Sequence, residues 1–306
     1  MENANSRKNV KNTKIIVTVI LALLVVVFGA ISGEYMDIFP TDDSDNNLVV
    51  EDYPFSVHFI DVGQGDCILI KSDDGNMLID AGENGYENEI LTYLSDLGVE
   101  DITYFVATHP HSDHIGGAAE IISNLTVQNV IMPRLSASNT PTTKTYENML
   151  NSIKQSEAKV IAAKPGQTYS FGEVSFIVLS PYEQDNDLNN MSVSVRLSYK
   201  GYSFMFTGDA EKQVEKQMLA SGYDLSADVY KLAHHGSTTS NTYDFFEAVS
   251  PDYAVISCSY DNEYGHPHDE IIQMLDDFGT QYYKTYESGT IIFIVDDNGI
   301  SVKTKK

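Results

Sequence analysis

Apolar positions after residue 56 fall into short runs that alternate between the period of a β-strand and that of an α-helix. Such runs predict strands at 57–60, 67–71, 77–79, 102–107, 127–132, 169–171, 173–179, 193–199, 203–206, 229–232, 253–258, 281–284, 289–295 and 300–304. Amphipathic runs predict helices at 86–97, 115–122, 146–156, 211–221, 243–249 and 269–278. Strand clusters interleaved with helices in two similar halves predict an α/β fold, an αββα sandwich with two packed sheets inside and helices outside.

The N-terminal stretch has a different pattern and predicts a membrane anchor. Residues 15–31 carry no charge and a single hydroxyl, and this length is near the lower limit for a helix that spans a bilayer. Basic residues precede the stretch and acidic residues follow it, which keeps the N-terminus cytoplasmic. We therefore expect a cytoplasmic segment at 1–14, one transmembrane helix at 15–33, a flexible acidic stalk at 34–53 and an extracytoplasmic domain at 54–306.

A cleaved signal peptide is the alternative interpretation of this stretch. Bulky residues stand at 28 and 31, where small ones are preferred before a cleavage site, so an uncleaved anchor is favoured. With either interpretation the large domain lies outside the cytoplasm, at the cell membrane or secreted.

Composition limits the classes of partner and site. The formal net charge of −25, without a visible cluster of Lys and Arg, argues against tight binding of nucleic acid. It does not exclude a nuclease, because bound metal ions supply local positive charge. Only two cysteines occur, Cys67 and Cys258, which is too few for a Cys-based zinc site. We expect two buried free thiols, and a disulfide only if their strands meet.

The most informative segment is Thr-His-Pro-His-Ser-Asp-His at 108–114, here called the His-rich loop. It follows the predicted strand 102–107 and precedes a helix, so it lies at the carboxyl end of a strand, where open α/β sheets hold their sites. Core packing gives no reason for so many imidazoles and carboxylates to cluster. One loop could supply ligands to two metal ions from His109, His111, Asp113 and His114.

With these residues the chain resembles the metallo-β-lactamase-fold hydrolases, whose metal loop has the form His-x-His-x-Asp-His. Other segments narrow the resemblance to the hydrolase domain of ComEC-type DNA-uptake competence proteins, from about residue 56 to the end. They are Phe-Ile-Asp-Val-Gly-Gln-Gly-Asp at 59–66, Leu-Ile-Asp-Ala-Gly at 78–82, Phe-Thr-Gly-Asp-Ala at 206–210, Leu-Ala-His-His-Gly-Ser at 232–237 and Tyr-Gly-His-Pro at 264–267.

The resemblance implies two divalent metal ions, Zn²⁺ or Mn²⁺. It assigns His109 and His111 to the first metal, Asp113 and His114 to the second, and Asp209 to a bridge between them. A water between two cations is deprotonated near neutral pH and would be the nucleophile. The family's usual third histidine for the first metal is missing, since no histidine lies between His114 and position 234, and 189–192 reads Asn-Asn-Met-Ser. This weakens the preference for zinc and leaves the identity of the metal open.

The adjacent pair His234 and His235 ends a predicted strand. Strand alternation would send the two side chains to opposite faces, so only one is expected to bind the second metal, and the other could donate a proton to the leaving group. The sequence does not choose between them. His266 is a further candidate ligand or acid, and Asp113, His235 and His266 are the candidate catalytic residues.

Further side chains are expected around the metals or the substrate. The resemblance implies that Asp80 anchors the His-rich loop. Tight turns at glycines would carry Gln64 and Asp66 toward the site. Lys231 is expected to be a solvated strand residue. The polar stretches 136–145 and 182–190 are expected to form loops near the rim. The full set of supporting candidates is Asp61, Gln64, Asp66, Asp80, Asn190 and Ser237.

Together these observations predict a membrane-anchored, extracytoplasmic, metal-dependent hydrolase. The resemblance to competence proteins implies that it cleaves phosphodiester bonds, as in a nuclease. One alternative is a phosphoesterase acting on a cell-wall or small-molecule substrate such as phosphocholine, which the negative charge would suit. Another is a non-catalytic surface binding module. The expected partners are the membrane, through the N-terminal helix, and DNA or another phosphodiester. No obligate protein partner is inferred.

Overall fold

The computed structural model describes residues 53–306. The predicted cytoplasmic segment, the transmembrane helix and the stalk up to residue 52 lie outside the described residues. Within 53–306, none of the helices has the length and apolar character needed to cross a membrane.

The described part of the chain contains two β-sheets. Its strands are β1 (Phe55–Phe59), β2 (Ile68–Ser72), β3 (Gly75–Ile79), β4 (Asp101–Val106), β5 (Thr126–Met132), β6 (Lys159–Ala162), β7 (Thr168–Phe171), β8 (Val174–Val178), β9 (Val195–Tyr199), β10 (Tyr202–Phe206), β11 (Val229–Lys231), β12 (Tyr253–Ile256), β13 (Gln281–Lys284), β14 (Thr290–Asp296) and β15 (Gly299–Lys305). The first sheet has the order β15-β14-β1-β2-β3-β4-β5-β6, and the second has the order β13-β12-β11-β10-β9-β8-β7.

Helices connect many of these strands. They are α1 (Glu87–Asp96), α2 (Ser112–Ile115), α3 (Ala118–Asn124), α4 (Lys144–Gln155), α5 (Lys212–Ala220), α6 (Tyr243–Val249), α7 (Asp269–Phe278) and α8 (Thr285–Ser288). Short 3₁₀ turns occur at Asn189–Met191 and Ala233–Gly236.

The two sheets pack face to face through an apolar core. Alternate residues of each strand point into this layer, as the two-residue period of a strand requires. Phe55 of β1 stacks on Tyr199 of β9 with ring centroids 4.1 Å apart, and Phe59 contacts Phe206 of β10. The rings therefore join the sheets directly.

Helices cover the outer face of each sheet. Ile90 of α1 and Met149 of α4 belong to the apolar cluster on the first sheet, and Val214 of α5, Phe246 of α6 and Leu275 of α7 belong to the cluster on the second. The predicted arrangement of two sheets with helices outside is confirmed for the described residues.

The expectation of two similar halves is wrong in one respect. The last two strands return to the first sheet, where β14 pairs with β1. This pairing joins segments more than two hundred residues apart, so local periodicity could not predict it.

The sequence pattern also failed to predict two short elements, the strand β6, whose Lys159 and Val160 are exposed, and the helix α8. In contrast, α7 coincides with its prediction, and Gly279 ends it in a left-handed conformation at φ 69°.

Parallel strands in both sheets end at the same region of the molecule. β3, β4 and β5 are parallel in the first sheet, and β10, β11 and β12 are parallel in the second. Asp80 follows β3, the His-rich loop follows β4 after Ala107, and Asp209 follows β10 after a two-residue turn. The carboxyl ends of these strands thus bring together side chains that are far apart in the chain.

Both cysteines are buried free thiols, as predicted. Cys67 packs in the apolar cluster on the first sheet and Cys258 in the cluster on the second. Neither cysteine lies within a strand, although both were predicted at strand ends, and the two thiols do not pair.

His58 in β1 is a buried structural histidine. Its Nε2 is 2.7 Å from Ser56 Oγ and its Nδ1 is 2.7 Å from Tyr93 OH, so both ring nitrogens are hydrogen-bonded. Burial, and secondarily the charge of Lys71, lower the pKa of His58 to about 3. The ring is therefore neutral in the folded protein.

We predict that His58→Gln reduces the loss of stability in acid. The pKa of His58 is about 3 when folded and near 6.5 when unfolded, so the unfolded chain takes up a proton first and stability falls as pH drops below 6.5. Between pH 7.5 and 5 this one group lowers the free energy of unfolding by about 2 kcal/mol. Urea unfolding at both pH values, in EDTA, should show a smaller decrease in the variant. Equal decreases would contradict the assignment.

Candidate metal centre

The carboxylate of Asp80 holds the His-rich loop in place through hydrogen bonds to Thr108 and His114. Its Oδ1 accepts a hydrogen bond from the backbone N–H of Thr108 at 2.8 Å, and its Oδ2 accepts from Thr108 Oγ1 and from His114 Nδ1, each at 2.7 Å. Asp80 itself has a positive φ of 59°, an uncommon conformation that aims its side chain at the loop. Because Nδ1 of His114 donates to Asp80, Nε2 is left as the free ligand atom.

The His-rich loop, which includes most of helix α2, and the glycine after that helix pack closely against neighbouring backbone. A Cβ at Gly65 would collide with the carbonyl oxygen of Asp113, and a Cβ at Gly116 would collide with the backbone of Glu83 and Asn84. Glycine is therefore required at both positions for the chain to approach this closely.

Four residues, one of them Asp209, bring potential ligand atoms close together. One atom each from Asp113, His114, Asp209 and His235 lie within 4.8 Å of one another. His114 Nε2 is 3.2 Å from Asp209 Oδ1, and His235 Nε2 is 3.2 Å from Asp113 Oδ2. Two imidazole nitrogens and two carboxylates at this spacing could hold one divalent cation.

A second group faces the other oxygen of Asp209. His109 Nε2 is 3.0 Å from His111 Nδ1 and 3.7 Å from Asp209 Oδ2. His234 Nε2 is also 3.7 Å from the same oxygen. Asp209 thus lies among four histidines, with Oδ1 toward His114 and Oδ2 within 3.8 Å of Nε2 of His109, His234 and His235.

The expectation that His234 and His235 point to opposite faces is wrong. The strand β11 ends at Lys231, and both histidines lie in a tight turn with left-handed φ values of 49° and 54°. Strand alternation does not apply to such a turn, and both rings reach the same cavity. His235 is buried among Asp113 and Asp209, whereas His234 is partly exposed and its Nδ1 bonds Thr239 Oγ1 at 3.0 Å.

The electrostatics of this cluster fit a cation. His114 Nε2 and Asp209 Oδ1 are buried and have no hydrogen-bond partner among the described residues, although they lie only 3.2 Å apart. Two electron-rich atoms at that distance repel each other unless a proton or a metal ion lies between them. Burial opposes charge on His114, yet the carboxylates of Asp209, Asp113 and Asp80 raise its pKa well above the usual value.

The pKa values of the carboxylates in the cluster shift in the opposite direction, downward. Burial would raise the pKa values of Asp113 and Asp209, but His114 and His235 outweigh it and lower both. Both groups are therefore held as carboxylates, the form that binds metal ions. The donor set accordingly fits divalent cations.

Lys231 is not the solvated residue that its strand position suggests. It is only 1% exposed, and its Nζ lies 2.8 Å from Asp66 Oδ1, which is also buried. Asp66 Oδ1 is 3.6 Å from His235 Nδ1, and that ring nitrogen lies 2.8 Å from Ser257 O. The Lys231–Asp66 ion pair therefore lies directly behind His235, whose Nε2 remains directed at Asp113.

The other supporting candidates fall into two groups. Gln64 lines the cavity beside the cluster, and its Oε1 accepts from Ser259 N. Asp61 accepts from Gly63 N, Asn190 Oδ1 accepts from Glu211 N, and buried Ser237 contacts Thr239, so these three stabilise neighbouring turns and none of them lines the cavity.

A cavity of about 660 Å³ opens over the cluster. Both predicted rim loops contribute to it, the first through Thr143 and the second through Asn189. Asn189 lines the cavity instead of its predicted neighbour Asn190, because the 3₁₀ turn there sets the directions of the side chains. Sequence reasoning missed Asn189 and Tyr264 as lining residues, since neither belongs to a periodic pattern.

His266 also lines this cavity. Its ring is 5.5 Å from that of His234 and 6.3 Å from that of His235, measured between centroids, and its Nδ1 has no partner among the described residues. Burial, followed by the neighbouring histidines, lowers the pKa of His266 to about 4. His268, in contrast, accepts a hydrogen bond from Thr238 N and precedes α7.

Comparisons with known proteins show which family the chain is similar to. The model of the metallo-beta-lactamase superfamily matches residues 60–260. ComE operon protein 3 of Bacillus subtilis is 28% identical over 254 residues, which cover 77% of this chain and 32% of that protein. Exodeoxyribonuclease YycJ of Bacillus anthracis is 36% identical over 53 residues, 17% of this chain and 20% of that protein.

The solved structure of Igni18, a metallo hydrolase of Ignicoccus hospitalis, has the same fold. It superimposes with a TM-score of 0.53 at 16% identity and covers 79% of this chain and all of Igni18. The chain spans only about a third of the length of ComE operon protein 3.

We predict that Asp80→Asn weakens metal binding. An amide would present a donor to at least one of the groups that now donate to Asp80, so the loop and the His114 ring would lose their alignment. Loss of such a supporting hydrogen bond reduces metal affinity about 10- to 100-fold. Competition with a chromogenic zinc chelator measures this, with the exposed Asp101→Asn as a matched control. Equal affinities in both variants would contradict the role of Asp80.

Proposed function

The chain belongs to the metallo-beta-lactamase superfamily, and we propose that it is a membrane-anchored, extracytoplasmic hydrolase that uses two divalent cations to cleave phosphodiester bonds. The observation that carries this proposal is the buried carboxylate of Asp209, whose Oδ1 faces His114 and whose Oδ2 lies within 3.8 Å of both His109 and His235. Relatives that are named as competence proteins and as an exodeoxyribonuclease support a nucleic acid as the substrate.

The residues divide between two cation sites. We propose that His109, His111 and Asp209 hold the first cation, and that Asp113, His114, Asp209 and His235 hold the second. Two cations at such a centre would polarise a phosphoryl oxygen and lower the pKa of a bound water. Mn²⁺ and Zn²⁺ both suit a mixture of imidazole and carboxylate donors.

The surrounding residues orient the groups that react. Asp80 and Asp66 are hydrogen-bonded or ion-paired behind His114 and His235, so neither ring is free to turn. His234 stands at the cavity wall with Nδ1 against Thr239 and Nε2 toward the cluster. Burial lowers the pKa of His234. The ring is therefore neutral at pH 7 and can offer a single N–H to a phosphoryl or leaving oxygen.

We predict that Asp209→Asn lowers phosphodiester cleavage about a thousandfold or more, because both cations would lose a charged ligand worth several kcal/mol of transition-state stabilisation. The full chain in detergent, with Mn²⁺ or Zn²⁺, should be assayed on single-stranded DNA, double-stranded DNA and bis-p-nitrophenyl phosphate. The matched control Asp101→Asn should retain wild-type rates.

The same assay separates the alternatives. Cleavage of the small diester or of p-nitrophenyl phosphocholine, without cleavage of DNA, would contradict a nuclease and favour a phosphocholine esterase. Absence of all activity with either metal would favour a binding module. Wild-type rates in Asp209→Asn would refute the bridging role of Asp209.

A further inference from the structure

An exposed aromatic ring stands on the wall of the cavity. Tyr264 is 60% exposed, and it lines the same cavity as His234, His235 and His266. Its ring lies nearly parallel to that of His266, with an interplanar angle of 23° and centroids 5.7 Å apart. Tyr264 is thus two ring contacts away from His235, which faces the metal cluster.

The loop that carries Tyr264 is pinned in place. Asn262 Nδ2 donates to Ser259 O at 2.8 Å and to His266 O at 2.7 Å, and its Oδ1 accepts from His266 N at 2.9 Å. One side chain therefore closes the loop on both sides of Tyr264. Single exposed tyrosines are common on protein surfaces. This one differs because its backbone is held at the entrance to a candidate active site.

The charges around the cavity limit what can bind there. Of the described residues that line it, none is Lys or Arg. A phosphate group away from the cations would find no cationic side chain in this wall. Binding energy at Tyr264 must therefore come from an uncharged or cationic group.

The arrangement of aromatic rings around Tyr264 favours a planar ligand group. Recognition of a quaternary ammonium group uses a cage of several aromatic rings. The next exposed aromatic in the loop, Tyr260, does not line the cavity and contacts Tyr286 instead. A single open tyrosine ring is the arrangement that stacks on a nucleobase, and such stacking tolerates any base sequence.

We propose that Tyr264 determines substrate specificity by stacking on a nucleobase next to the scissile phosphodiester. The inference rests on the proposed phosphodiesterase function and deepens it, because it names a single-stranded nucleic acid as the substrate class. Stacking would also replace the cationic groove that this acidic chain lacks at the cavity.

The first test uses a fluorescent reporter that needs no catalysis. The chain contains no tryptophan, so Tyr264→Trp places a single indole at the proposed stacking position. In the full chain with Zn²⁺, a phosphorothioate oligothymidylate should quench its emission saturably, and an abasic oligomer of equal length should not. Tyr260→Trp is the matched control in the same loop, and its emission should not change.

The second test compares substrates with and without bases. We predict that Tyr264→Leu lowers kcat/KM roughly 10- to 100-fold on oligothymidylate, the range expected from losing one stacked base, and leaves the abasic oligomer unaffected. Tyr264→Phe should retain the wild-type rate because it keeps the ring. Tyr260→Leu should behave as wild type on both substrates.

The outcomes separate the two proposals. Equal losses of kcat/KM on both oligomers, or no quenching, would overturn the stacking role even if the wild type cleaves DNA. Saturable quenching without DNA cleavage would support stacking and refute the nuclease function. Quenching by phosphocholine esters in place of oligothymidylate would overturn the base assignment in favour of a cationic group.

Discussion

The carboxylate of Asp80 is the contact on which the site depends. It accepts three hydrogen bonds, two from Thr108 and one from His114, and thereby ties the end of β3 to the His-rich loop after β4. Without it, the Thr108 backbone amide, the Thr108 hydroxyl and His114 Nδ1 would each lose a buried hydrogen-bond acceptor. By fixing the tautomer of His114, Asp80 also leaves Nε2 as an acceptor facing Asp209, where only a proton or a cation stabilises the pair.

The two sheets supply the site from opposite directions. The first sheet contributes the His-rich loop, and the second contributes Asp209 and the 234–236 turn through its parallel strands. Buried acids and imidazoles where the two sheets meet carry a large desolvation penalty. The Lys231–Asp66 ion pair offsets the part of this penalty that comes from Asp66, next to His235. The proposed cations would offset the remainder, so metal binding and stability of this region should be coupled.

Sequence patterns predicted the local parts of this structure and missed the nonlocal ones. Helix α7 could be predicted to the residue because its amphipathic period ends at a glycine. The return of β14 and β15 to the first sheet could not, since nothing local encodes a pairing with β1. The metal-binding residue types were visible in the His-rich loop. The shared direction of His234 and His235 could not be predicted, because it depends on left-handed backbone angles. The burial of Lys231 could not be predicted either, because it depends on a partner distant in sequence, Asp66.

The proposed position of Asp209 between two divalent cations can be tested by anomalous diffraction from crystals grown with Zn²⁺. We expect two peaks about 3.5 to 4 Å apart, one beside His109 and His111 and one beside His114 and His235, with Asp209 contacting both. A single peak that Asp209 does not contact, or no peak at this cluster, would contradict it.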